Sequence, residues 1–117
     1  MYTDADEVRH GHVPLWFKKK MVWWLRLHDL PVPQSTYQVL RAFAHETGWH
    51  VDHEGSSRHG EAFVNEPYGG EKDIRKGEEI ALMLNCEFWY FKESHWGHGT
   101  IRMEFRRKRN GHDWTSP

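Results

Sequence analysis

The sequence has little cysteine and no long apolar run. A single cysteine, Cys86, excludes an internal disulfide and any metal site built from cysteines alone. No apolar stretch approaches the roughly 20 residues that a transmembrane helix needs. The acidic start, residues 1–7, has no apolar segment of the kind found in a signal peptide. We therefore expect a cytoplasmic chain that does not associate with membranes.

An overall excess of charge is also absent. The chain carries 16 Lys and Arg against 17 Asp and Glu, for a net charge of -1 with histidine neutral. The charge is nevertheless segregated: residues 102–109 hold five bases and one acid, whereas residues 61–79 hold six acids and three bases. This pattern is typical of a directional contact surface and not of a general polyanion binder.

Aromatic residues are abundant, at 15% of 117 residues, and seven of them are tryptophan. A chain of this length forms about one domain and can bury a core without disulfides. We predict a single α+β domain over residues 13–109, between a flexible N-terminal tail (1–12) and a flexible C-terminal tail (110–117).

The clearest local signal is a helix over residues 35–47. Ser35 and Gln38 have the spacing of a capping box, and Gly48 suits the left-handed residue that follows a helix. In residues 21–29 bulky side chains alternate with period 2, which favours a strand. A helix from Leu15 to Leu27 is the alternative for this segment.

The rest of the chain predicts strands and one further helix. We expect short strands at 49–53 and 61–65, a loop at 54–60 and a helix at 72–85, within which 80–84 could instead be a strand. Strands at 86–92 and 100–106 flank a glycine-bearing loop and form a C-terminal hairpin. The fold is therefore a single antiparallel sheet with one or two helices on one face, with a ferredoxin-like order possible. If residues 15–27 are helical, a winged helix is the alternative.

The basic runs suggest contact with nucleic acid through the C-terminal hairpin. Guanidinium and ammonium groups neutralise phosphates and release counterions, and Trp96 at the hairpin tip could stack on a base. The candidate phosphate ligands are Arg102, Arg106, Arg107, Lys108, Arg109, Lys18, Lys19 and Lys20.

A second hypothesis is a protein-interaction module, such as a small inhibitor or adaptor of the kind that mobile elements (phages) carry. Exposed aromatic residues usually mark a contact surface, and the candidates here are Trp89, Tyr90 and Trp96. The same exposure would suit a homo-oligomer.

A third hypothesis is a metal-dependent hydrolase. His45, His50 and His59 lie within fifteen residues of one another, together with His53, Asp52 and Glu54, and such side chains bind divalent metals. On a strand, however, His50 and His53 would point to opposite faces. The sequence contains no nucleophile elbow and no phosphate-binding glycine loop, so we assign no catalytic residue and no cofactor, and expect a non-enzymatic protein.

Overall fold

A computed structural model describes residues 13–52, 54–57, 59–95 and 98–108. The predicted tails at 1–12 and 110–117 lie outside these ranges. Within them the chain forms three helices and four strands in the order α-α-β-β-α-β-β. Their bounds are α1 Leu15–Leu27, α2 Thr36–Thr47, β1 Glu54–Ser56, β2 Ala62–Asn65, α3 Glu71–Leu84, β3 Glu87–His95 and β4 His98–Arg106.

The four strands form one antiparallel sheet in the order β1-β2-β4-β3. The hairpin of β3 and β4 pairs Glu87 with Arg106 at its base and continues in unbroken register to the pair His95 and His98. The predicted α+β class, single antiparallel sheet and C-terminal hairpin are confirmed. A ferredoxin-like order is only suggested, because two helices precede the first strand. Since β1 and β2 separate α2 from α3, these two helices do not form the helix-turn-helix pair of a winged helix.

The helices cover one face of the sheet and enclose an aromatic core. The Phe17 ring of α1 stacks on Phe63 of β2, with centroids 4.5 Å apart and planes 6° apart. Trp49 contacts both Phe63 and Phe105 edge-on, at 5.8 and 5.4 Å between centroids. Helix α3 approaches the same face through Gly77, which lies against Phe88 and Met103.

The preference for a strand at residues 21–29 is wrong, because residues 21–27 belong to α1 and residues 28–29 form a turn after it. The buried residues of α1 are Trp16, Phe17, Lys20, Met21 and Leu25, which repeat with helical spacing. The bulky residues at 21–27 are compatible both with the period of 2 of a strand and with the period of 3.6 of a helix. Lys20 is one of the buried residues of this stripe, but in the sequence it is part of a basic run and is therefore not recognised as a buried position.

The helix at 35–47 is confirmed as α2. The Ser35 hydroxyl accepts a hydrogen bond from the Gln38 backbone N–H at 3.1 Å, and Gly48 adopts positive φ. The helix at 72–85 is confirmed as α3, which also rules out a strand at 80–84.

The strand expected at 49–53 does not form over residues 49–52, and His53 lies outside the described residues. The pairing strand β1 instead falls in the stretch 54–60, which the sequence predicts to be a loop, while the strand at 61–65 is confirmed as β2. Over the ranges given above, no helix has both the length and the apolar character that crossing a bilayer requires.

Candidate functional site

The outer face of β4, which points away from the helices, places a carboxylate between two predicted phosphate ligands. Arg102, Glu104 and Arg106 alternate along the strand and so share this face. The Glu104 carboxylate lies 3.1 Å from Arg102 Nη2 and 2.6 Å from Arg106 Nη2. Glu104 is only 8% exposed, so both guanidinium groups are held by one largely buried acid. The two positive charges are therefore partly neutralised before any phosphate approaches.

Trp89 lies directly across from Glu104 on β3. The Arg106 guanidinium carbon is 4.3 Å from the centroid of the Trp89 ring, a cation–π contact. The indole N–H of Trp89 donates a hydrogen bond to Glu87 Oε1 at 3.2 Å. Trp89 is still 45% exposed. These contacts hold the ring in one orientation while leaving a large part of it open to a partner.

The two predicted interaction residues Trp89 and Tyr90 point to opposite faces of the sheet. Tyr90 is paired with Met103 on the helix-covered face and lies 5.9 Å from Phe88, between ring centroids. The outer-face neighbour of Trp89 is instead Phe91, paired with Arg102. Phe91 was missed as an interaction residue, although the alternation of side chains along a strand would have identified it.

Strand β3 lies at the edge of the sheet. Among the described strands it pairs with β4 alone, so its other side presents backbone N–H and C=O groups outward along nine residues. Trp89, Tyr90 and Phe91 are consecutive on this strand and are each 40–46% exposed. An edge of this length with three consecutive exposed aromatic residues is a template for pairing with another chain.

Lys20 and Lys108 meet at the C-terminal end of α3. This helix ends at Asn85 in the left-handed conformation and has no basic residue in its own last turn. The Lys20 ammonium donates to the Asn85 carbonyl at 3.2 Å, and Lys108 donates to Asn85 Oδ1 at 2.7 Å. Both cations therefore complement the negative end of the helix dipole. Since Lys20 is only 3% exposed, it is not a surface cation.

Lys18 and Lys19 line a groove on the outer side of α1. The groove has a volume of about 880 Å³ and runs between α1 and the segment that precedes α2. Its apolar lining comes from Leu15, Val22, Trp23, Leu27, Val32 and Pro33, and its cations are Lys18, Lys19 and Arg26. We call this feature the α1 groove. Sequence reasoning found its lysines but not its apolar floor, because that required residues 15–27 to be helical.

Arg107 is exposed and borders a second, smaller depression of about 410 Å³ at the start of α1. Lys19 and Lys20 line the same depression, together with the acidic Glu61. The two basic runs are therefore neighbours in the fold. Arg109 and Trp96, predicted to bind phosphate and to stack on a base, lie outside the described residues.

Of the predicted histidine cluster, His45, His50 and His59 lie within the described residues and all three are exposed, whereas His53 lies outside them. His50 Nε2 lies 3.9 Å from Asp52 Oδ1. Within the described part of the chain, no three His, Cys, Asp or Glu side chains come together in a way that could hold a metal ion. The hydrolase hypothesis stays a prediction.

Cys86 is a buried thiol. Burial raises its pKa to about 12, against the opposing effect of Lys20 and Lys108. The neutral thiol is a poor nucleophile, so this side chain acts as an apolar group at the start of the hairpin.

Comparison of the chain with protein-family models, with curated proteins and with solved structures gives no match.

Proposed function

We propose that this chain is a small non-enzymatic protein-binding module, and that its partner pairs with the edge of β3. The observation that carries this proposal is the nine-residue edge strand with three consecutive half-exposed aromatic residues. In strand addition, backbone hydrogen bonds supply affinity and side chains on the two faces supply specificity. A small inhibitor or adaptor would use such an edge to hold an extended segment of its target.

The aromatic residues are suited to this mode of binding. Trp89 and Phe91 would cover partner side chains on the outer face, and Tyr90 would do so on the inner face. Because Arg106 and Glu87 already hold the Trp89 ring, little side-chain freedom is lost on binding. The pairing of Arg102 and Arg106 with Glu104 also makes this face a weaker phosphate site than the sequence suggests.

The test is a comparison of partner capture by matched variants. The full chain, immobilised, is incubated with lysate of its host, and bound proteins are identified by mass spectrometry. Trp89→Ala and Phe91→Ala should each lose the same specific partner, whereas Leu82→Ala on α3 and Tyr68→Ala should retain it. Leu82 and Tyr68 are also exposed apolar residues, at 83% and 72%, but lie outside β3. Circular dichroism of each variant checks that the fold is intact.

Hydrogen exchange on the isolated complex tests strand addition itself. The β3 backbone N–H groups that point away from β4 should become protected when the partner binds. Protection elsewhere with β3 unchanged would contradict the proposal, as would equal loss of the partner in the Leu82→Ala control.

A second candidate is nucleic-acid binding, favoured by the proximity of Lys19 and Arg107 at the start of α1. Phosphate contacts at this end would give affinity that falls steeply with salt. Fluorescence anisotropy with labelled single- and double-stranded oligonucleotides should then show weaker binding for Lys19→Gln than for the control Lys92→Gln on β3. No binding by the unmodified chain at low salt would eliminate this candidate.

A further inference from the structure

We infer that the α1 groove binds α3 of a second copy of this chain. This contact is separate from the β3 edge and does not depend on the proposed function. The groove has an apolar floor with three cations around it: Lys18, Lys19 and Arg26. Such a surface fits an amphipathic helix whose apolar residue is flanked by acids.

The chain itself presents a helix of this kind. Leu82, near the end of α3, is 83% exposed, the largest exposed fraction among the large hydrophobic residues of the described chain. Glu78 and Glu79 precede it by four and three residues, so all three lie on one side of the helix, and both acids are exposed. Glu79 pairs with Lys76 on the same helix, with 3.4 Å between Oε2 and Nζ, so Glu78 is the main carboxylate that would face the groove. An apolar side chain beside this carboxylate matches an apolar groove bordered by ammonium and guanidinium groups.

The opposite signs explain why the contact joins α1 to α3 and not α1 to α1. Two copies of the α1 groove facing each other would bring the cations of both together, which is unfavourable. Docking of α3 in the groove joins unlike surfaces, so each copy offers both halves of the contact.

Charge reversal with mixing provides the test. Sedimentation velocity over a wide range of concentration should show the unmodified chain associating, more weakly as salt rises. Lys19→Glu and Glu78→Lys should each weaken self-association about tenfold. An equimolar mixture of the two variants should recover it. Two copies form two such contacts. In the mixed pair, the new carboxylate at position 19 of one copy would face the new ammonium at position 78 of the other. In the other contact, the unchanged Lys19 would face the unchanged Glu78.

Two further variants separate this contact from other surfaces. Leu82→Ala should weaken association about tenfold or more by removing the apolar contact. Glu46→Lys, a charge reversal of the same size at an exposed position of α2, should leave it unchanged. A chain that stays monomeric at every concentration overturns the inference. So does association that Lys19→Glu and Glu78→Lys leave intact but Trp89→Ala abolishes, since the copies would then meet through β3.

Discussion

Gly77 occupies the middle of α3, a position where alanine ordinarily stabilises a helix by about 1 kcal/mol. Here a Cβ atom would lie 2.6 Å from Phe88 Cζ and 2.7 Å from Met103 Sδ. The glycine therefore sets how closely α3 approaches the sheet. Glycine has a low helix propensity, so Gly77 weakens the sequence signal for a helix at 72–85. The contact that accounts for this glycine is made with strands β3 and β4, and the helical pattern alone does not reveal it.

We expect Gly77→Ala to lower the free energy of unfolding by about 1–3 kcal/mol, since the helix must move away from the sheet. Denaturant unfolding measures this change. Gly55→Ala is the matched control, because a Cβ on Gly55 meets no atom within 4 Å. A more stable Gly77→Ala variant would contradict the close approach.

Cys86 makes stability depend on alkaline pH. Its thiol has an ordinary pKa of 9.0 in the unfolded chain and a pKa of about 12 in the fold, so between these values the folded state binds more protons. Stability should therefore fall as pH rises through this window, by up to about 1.4 kcal/mol per pH unit from this group. Unfolding curves from about pH 8 to about pH 11 cover the lower part of the window and measure the slope. Cys86→Ala should make the slope shallower, and equal slopes in the two proteins would contradict this expectation.

At the level of single elements, α2 and α1 show what local sequence determines. The signals that begin and end α2, Ser35 and Gly48, act within a few residues, so the sequence alone predicts this helix. The conformation of α1 depends on the rings of β2 and β4 that it covers and on the Asn85 carbonyl that accepts from Lys20. These partners are distant in the chain, and without them the alternation at 21–27 favours a strand.

The cap of α2 should contribute measurably to stability. Ser35→Ala removes the hydroxyl that accepts from the Gln38 N–H, and we expect a loss of about 1 kcal/mol in thermal or denaturant unfolding. Ser35→Asp retains an acceptor at the same place and should recover most of the loss. Equal losses in both variants would show that the cap hydrogen bond is not the cause.

The candidate surfaces were only partly predictable for a related reason. The basic runs and the aromatic residues of β3 are visible in the sequence. That Glu104 binds Arg102 and Arg106, and that Lys20 is buried, follows from register and from helix packing. Neither can be read from composition.

For the whole molecule, one aromatic core joins the helices to the sheet. The Phe17 side chain is fully buried and contacts the rings of Trp16, Trp49, Phe63 and Phe105. Since α1, β2 and β4 share this core, we expect the described domain to unfold in a single cooperative transition.

Phe17→Leu should lower the free energy of unfolding by about 1–3 kcal/mol, because stacking is lost and a cavity remains. In each protein, the original and the variant, far-ultraviolet circular dichroism and tryptophan fluorescence should give the same unfolding midpoint as each other, and both midpoints should be lower in the variant. Leu15→Ala on the exposed side of the same helix should change stability far less. Separate midpoints for helix and tryptophan signals would indicate two independent units.

The shared depression at the start of α1 also has a consequence for chain connectivity. Pro14 and Arg107 line it together, so the two ends of the described domain lie side by side. Neighbouring ends are a property of chains that tolerate circular permutation. A short linker joining residue 108 to residue 13, with new termini opened between the exposed Gly69 and Gly70, should therefore preserve the fold. In such a permuted chain α1 would follow β4 directly, and a fused tag would lie at the start of α3.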